Sequence, residues 1–266
     1  MTENNEKPKV RLSVSKTKTY TGCHKNFEFV YVLKLPREEK DYHIFGSFCH
    51  KILEDFHNAY VGGSTNPHGV QMGIAYKSAL LDFESKLTRE QKLESRELMK
   101  NYIQILGGKT PNVLACEEKF EKNINDDRIM VTLNGFIDRI DLDDDGIYHC
   151  LDYKTSKSDK YLKDDWFQLL TYAYVYLMDH PEVQQIRGSY VMVRQNFERV
   201  TRTFDREEIL TVAPKYLEYG YQMYHETEFK PNPTFLCNWC QHQNICPAGQ
   251  TQKPVDTFIR QGELSW

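Results

Sequence analysis

The sequence predicts an α/β protein of the α+β kind, a mixed sheet preceded by a helical N-terminal region, and three observations predict it. Residues 129–155 alternate apolar and polar side chains around an acidic turn, as a β-hairpin does. Mostly helical patterns precede that hairpin. One helix, two strands and a final helix follow it, an order that gives a mixed sheet rather than a doubly wound one. The 266 residues suffice for one large domain or a main domain with an attached subdomain. A hydrophobic fraction of 40% suits a folded chain, and a charged fraction of 27% argues against extensive disorder. A net charge of −4 gives no global attraction to nucleic acid, although a basic groove can coexist with acidic flanks. No stretch resembles a membrane span and the first residues are not signal-like, so an intracellular, cytoplasmic protein is expected.

In chain order, residues 1–11 read as a tail. Ser13 or Ser15 caps a short helix carrying Tyr20 and ending near Gly22. Phe27, Phe29, Val30, Tyr31, Val32 and Leu33 read as core, closed by Pro36. Gly46 is expected to open a second helix whose apolar stripe is Cys49, Ile52, Leu53 and Phe56. His50, Glu54 and His57 share a neighbouring face, where a histidine taken alone is more often a surface or core-edge residue than a ligand. Gly62 to Pro67 form a loop, and helices continue to about Leu106. GGKT at Gly107 to Thr110 is a turn, not a nucleotide-binding loop, because Ile103 stands where that loop needs glycine. Asn112 to Ile124 read as a strand containing Glu118. A helix from Asp164 to Met178 turns Gln168 and Tyr172 to one face. Ile186 to Arg194 and Glu198 to Phe204 are strands, and Asp205 caps a helix reaching about Glu226. Lys7, Lys9, Arg11, Lys16 and Lys18, and later Lys157, Lys160 and Lys163, read as readily as solvated faces as phosphate tracks.

The hairpin carries the chemistry. On its second arm Tyr148, Cys150, Asp152 and Lys154 share one face, and Ile147, His149, Leu151 and Tyr153 the other. Asp138 interrupts an otherwise apolar first arm, and a buried carboxylate is costly unless paired or bound to metal. Two carboxylates converging with a lysine make a hydrolytic metal site; an ordinary solvated hairpin with one ion pair is the alternative.

Seven cysteines, an odd number, argue against a full disulfide framework. Cys237, Cys240 and Cys246 crowd together with CxxC spacing, and Cys23, beside a turn, is the candidate fourth ligand. Iron–sulfur and zinc centres both accept four thiolates, and spacing does not choose between them. His24 and His242 are possible zinc ligands.

Seven segments in order carry a family resemblance: LSVSKTKTYTGCHKNFEFVYVLKL, FGSFCHKILEDF, EEKF, GFIDRID, LDYKTSK, QLLTYAY and CNWCQHQNIC. With them the chain resembles the PD-(D/E)xK nuclease superfamily, and within it the RecB-type nucleases that include Cas4 and the AddB nuclease domain. The resemblance implies a restriction-endonuclease-like core and a C-terminal cysteine cluster. It implies metal contacts from His50, Asp138, Asp152 and the main-chain carbonyl of Tyr153, with Lys154 as the catalytic lysine. Gln168 and Tyr172 match the QxxxY element, Glu118 an acidic position on the preceding strand, and Cys23, Cys237, Cys240 and Cys246 a [4Fe–4S] arrangement. The chain departs from the pattern in lacking a proline beside Asp138 and in having aspartate rather than glutamate at Asp152.

The expected organisation is a single nuclease domain over residues 12–250, with a helical part (12–110), a nuclease core (111–226) and a cluster-binding segment (227–250), then a tail (251–266). The expected activity is Mg²⁺- or Mn²⁺-dependent cleavage of DNA, as an exonuclease on single strands or free ends. Tyr20, Tyr172 and Trp166 are candidates to stack on bases. The expected setting is repair, recombination, spacer processing or phage replication, in a host cytoplasm if viral, with a separate helicase or recombination partner. The alternatives are a non-catalytic single-strand-binding module held by a metal cluster and a zinc-ribbon-tailed scaffold for protein partners.

Overall fold

The computed structural model describes residues 7–158 and 165–249. Lys160, Lys163, the first turn expected at Asp164, the start of the N-terminal tail and the tail at 251–266 lie outside the described residues. The elements are β1 (Lys9–Leu12), α1 (Val14–Gly22), α2 (His24–Phe27), α3 (Asp41–Val61), α4 (His68–Phe83), α5 (Arg89–Leu106), β2 (Val113–Asn125), β3 (Met130–Leu142), β4 (Tyr148–Lys154), α6 (Phe167–Asp179), β5 (Gln185–Met192), β6 (Glu198–Asp205), α7 (Arg206–Leu210) and α8 (Val212–His225). The chain forms two compact units. One is built from Glu39–Phe120 and Phe136–Val212, the other from Glu121–Gly135 with the described residues up to Glu38 and from Ala213 on.

In the first unit β3 and β4 form the expected antiparallel hairpin, paired from Leu142↔Tyr148 to Arg139↔Leu151. Its turn closes through Asp143 N–H to Ile147 O at 3.0 Å, with Gly146 at φ 80° supplying the left-handed residue. β4 pairs in parallel with β5, and β5 antiparallel with β6, so the sheet is mixed. The parallel crossover is α6, seated on β5 where Gly188 leaves room: a Cβ there would lie 2.8 Å from Phe204 Cε2 and 3.0 Å from Leu169 Cβ. Helices α3, α4 and α5 bury Phe45, Phe48, Ile52, Phe56 and Met99 against Leu151, Tyr153 and Val191. Helices therefore cover β4 on both faces, which explains why its residues from His149 to Tyr153 are all buried.

Three local departures from the sequence reading have physical causes. Gly46 does not open α3, which starts at Asp41. It lies inside the helix, where a Cβ would come 3.0 Å from Thr155 Oγ1, so glycine lets α3 approach the end of β4 closely. In β2 the inward positions change from Val113 and Ala115 to Phe120 and Ile124, and Glu117, at φ 48°, is where the alternation slips. The helix capped by Asp205 is broken at Thr211, because Pro214 lacks an N–H and its ring clashes with the preceding turn.

In the second unit β1, read from sequence as tail, pairs in parallel with Met130–Leu133 of β3. Its polar, short pattern hid it. Ser13 caps α1, accepting from Lys16 N–H at 3.2 Å. Phe27 and Phe29 are buried, whereas Val32 and Leu33 are 49% and 54% exposed, because the widened π-turn over Glu28–Val32 rotates them outward. Among the described residues no helix is long and apolar enough to cross a membrane.

Candidate active site

The site grows from a local failure of strand pairing. β3 and β4 pair only as far as Arg139↔Leu151. Beyond that point Tyr153 has both main-chain groups free of the β3 ladder, and side chains take them. Its N–H donates to Asp138 Oδ2 at 2.8 Å, and its C=O accepts from His50 Nε2 at 2.9 Å. His50 lies one turn after Gly46 on α3, so the close approach permitted by that glycine brings the imidazole to the strand end.

With Nε2 donating to a carbonyl, His50 presents the lone pair of Nδ1 to Asp138 Oδ2, 3.4 Å away. Two acceptors facing each other call for a proton or a cation. Glu117 completes the group: one ligand atom each from His50, Glu117 and Asp138 fall within 4.8 Å of one another. Burial, then the Asp138 charge, pushes Glu117 up to about 7. Burial, then the Asp152 charge, raises Asp138 well above the usual carboxylate range. Burial lowers His50, keeping the imidazole neutral as a ligand must be. One neutral nitrogen and two carboxylates reluctant to ionise side by side fit Mg²⁺ or Mn²⁺, the imidazole making Mn²⁺ comfortable.

Beside this group lies a second one. Lys154 Nζ is 2.6 Å from Asp152 Oδ2 and donates to Gln168 Oε1 at 3.0 Å. Gln168 Nε2 donates to Asp152 Oδ1 at 2.5 Å and to Tyr172 OH at 2.8 Å. The α6 amide thus fixes lysine and carboxylate together, accepting from one and donating to the other. Burial, then the Asp152 charge, raises the Tyr172 phenol well above its ordinary value, so it stays protonated.

The structure brings together His50, Asp138, Asp152, the Tyr153 main chain, Lys154, Gln168 and Tyr172. It does not bring in Glu118, which is exposed; Glu117 faces the site instead. The sequence held no signal for this: Val113, Leu114, Ala115 and Cys116 are apolar at odd and even positions alike, so the pattern does not reveal the slip at Glu117. Of the residues expected to stack on bases, Tyr20 and Tyr172 are buried at 3% and 5% exposure and only Trp166 is partly open.

The four-cysteine centre is corrected. Among the described residues, the group able to hold a metal is His50, Glu117 and Asp138, not a set of thiols, and all seven cysteines are free. Cys23, Cys237, Cys240 and Cys246 line a narrow cavity of about 30 Å³. Two of their sulfurs accept hydrogen bonds from main-chain N–H groups, Asn232 to Cys23 and Thr234 to Cys237, each at 3.4 Å. Cys49, Cys116 and Cys150 are scattered through the other unit. Neither the [4Fe–4S] cluster nor the zinc alternative is supported, and with them go the C-terminal cysteine cluster as a fold feature and the part of the resemblance that rested on it.

A family model described as the PD-(D/E)XK nuclease superfamily matches residues 11–247. No curated protein matches the chain. Among solved structures, a provisionally named exonuclease from Eubacterium rectale is 13% identical, the match covering 99% of this chain and 98% of that one at a TM-score of 0.48. The crystal structure of SSO0001 is 18% identical, covering 74% of this chain and 95% of that one at a TM-score of 0.37.

Proposed function

Because the chain belongs to the PD-(D/E)XK nuclease superfamily, we propose that it hydrolyses the phosphodiester backbone of DNA, as an exonuclease on single strands or free ends. The observation that carries the reading is the gathering of His50, Glu117, Asp138, Asp152 and Lys154 around the end of β4. His50, Glu117 and Asp138 would hold Mg²⁺ or Mn²⁺, with Asp152 beside them. Bound there, the ion supplies Lewis-acid polarisation of the phosphate and a lowered pKa for water.

The chain's own residues do the rest. Lys154 places an ammonium where negative charge grows on the scissile phosphate. Gln168 holds that ammonium and the Asp152 carboxylate in fixed register, so neither reorganises during the reaction. Tyr172 OH, 3.4 Å from Asp152 Oδ1, adds a second donor to the same oxygen. A helicase or recombination protein that delivers free ends is part of this reading, as is a role in repair, recombination or phage replication.

The test is cleavage of end-labelled single- and double-stranded DNA, linear and closed-circular, in Mn²⁺ or Mg²⁺, with Lys154→Ala alongside. A ladder from one end, absent on circles and with the variant, supports an exonuclease and gives its polarity. Cut circles would replace it with an endonuclease. DNA binding without turnover would leave the non-catalytic binding module.

A further inference from the structure

Resting on that nuclease reading, we propose that Arg139 is a positioning residue for the metal centre, acting through Tyr153. Arg139 follows Asp138 in β3 and points to the opposite face, where it is 1% exposed. Its Nε donates to Asp141 Oδ1 at 2.6 Å and its Nη2 to Asp141 Oδ2. Its Nη1 donates to Tyr102 OH at 2.9 Å and to Tyr153 OH at 3.0 Å, and lies 2.8 Å from His57 Nε2.

Stability alone does not call for this arrangement. Buried ion pairs are often replaced by apolar side chains of similar volume without loss, because desolvation offsets their attraction. What the network does is fasten one particular ring. Tyr153 is held at its hydroxyl by Arg139, and its main-chain N–H and C=O hold Asp138 and His50. The same residue that orients two of the metal-site side chains is thereby pinned at its far end. Its peptide lies past the last β3–β4 pair, so no backbone ladder on that side would otherwise fix it.

Two variants separate positioning from plain structure. Tyr153→Phe and Tyr102→Phe each remove one hydroxyl that accepts from the same Nη1, but only the first lies on the path to the ligands. Mn²⁺ affinity of the full chain is measured by titration calorimetry, and the ¹⁵N shifts of His50 are recorded without metal. Tyr153→Phe should weaken Mn²⁺ about tenfold, the lower end of the effect of removing a group that orients a metal ligand, and should move the His50 resonances. Tyr102→Phe should leave both near wild type despite a comparable loss in Tm. Equal effects from the two variants, or none from Tyr153→Phe, overturn the proposal. Wild-type protein that binds no Mn²⁺ overturns instead the metal-site reading on which it rests.

Discussion

Glu117 offers the sharpest test, because the neighbouring Glu118 is its built-in control. An ordinary glutamate releases its proton near 4.5, whereas burial and Asp138 move Glu117 to about 7. Below 4.5 the folded and unfolded chains both hold this proton. As pH rises towards 7 the unfolded chain ionises first, so stability falls through that window and stays reduced above it. At 1.36 kcal/mol per tenfold the full gap is about 3 kcal/mol; solvent screening of a half-buried group reduces it to roughly 1–2 kcal/mol. Glu117→Gln should therefore stabilise the metal-free protein by about that much at pH 8 and by almost nothing at pH 4.5. Saturating Mn²⁺ works against that advantage: wild type gains about 2.7 kcal/mol at a hundredfold excess over Kd, and the variant, lacking a ligand, gains less. Urea denaturation with and without Mn²⁺ at the two pH values measures all four quantities. If Glu118→Gln behaves like Glu117→Gln, or if Glu117→Gln brings no stabilisation at pH 8, the assignment of Glu117 to the site is wrong.

Gly188→Ala forces a methyl into Phe204 and Leu169 and should cost about 1–3 kcal/mol, read as a lower Tm, with weaker catalysis as α6 lifts Gln168 from Lys154. Gly46→Ala should separate function from stability. Helix propensity gains up to about 1 kcal/mol and the Thr155 contact takes a similar amount back, so Tm should barely move while the Mn²⁺ requirement for cleavage rises; an unchanged requirement would mean that α3 need not sit so close. His149 is buried, 2.7 Å from Ser189 Oγ and 3.0 Å from Asp143 Oδ2, and burial lowers its pKa below 6.5 despite that carboxylate. A depressed folded-state pKa gives stability that is present above 6.5 and lost as pH falls. Wild type should accordingly lose more stability than His149→Gln between pH 7.5 and 5.5, and parallel profiles would show that His149 is not held neutral.

The hairpin and the order of elements were legible because period-two alternation and a DDDG turn are local signals. The residues at the end of β4 were legible for a different reason. Asp138 in an apolar strand and Asp152 two residues from Lys154 are anomalies whose cost asks for a partner. Glu117 was missed because a slip in β2 exchanges which glutamate faces inward, and a slip of one residue leaves composition and hydropathy unchanged. Gly46 was misread as a helix start because its role depends on Thr155, over a hundred residues away, which no local window contains. The cysteines misled in the opposite direction: CxxC spacing states which thiols are near one another in the chain, not whether the fold places them around a metal. The buried Arg139 network lay unnoticed because two of its partners, His57 on α3 and Tyr102 on α5, lie far from it in the chain.

The early parting of β3 and β4 also bears on how the protein matures. The bond from His50 to the Tyr153 carbonyl joins positions 103 residues apart, and Asp138 and Gln168 come from two further elements, β3 and α6. Closing so long a loop is entropically unfavourable until much of the sheet and its helical cover have assembled. A nascent or partly unfolded chain therefore lacks a working centre. A chain emerging from the ribosome gathers the residues of the candidate metal site only once those through α6 have packed.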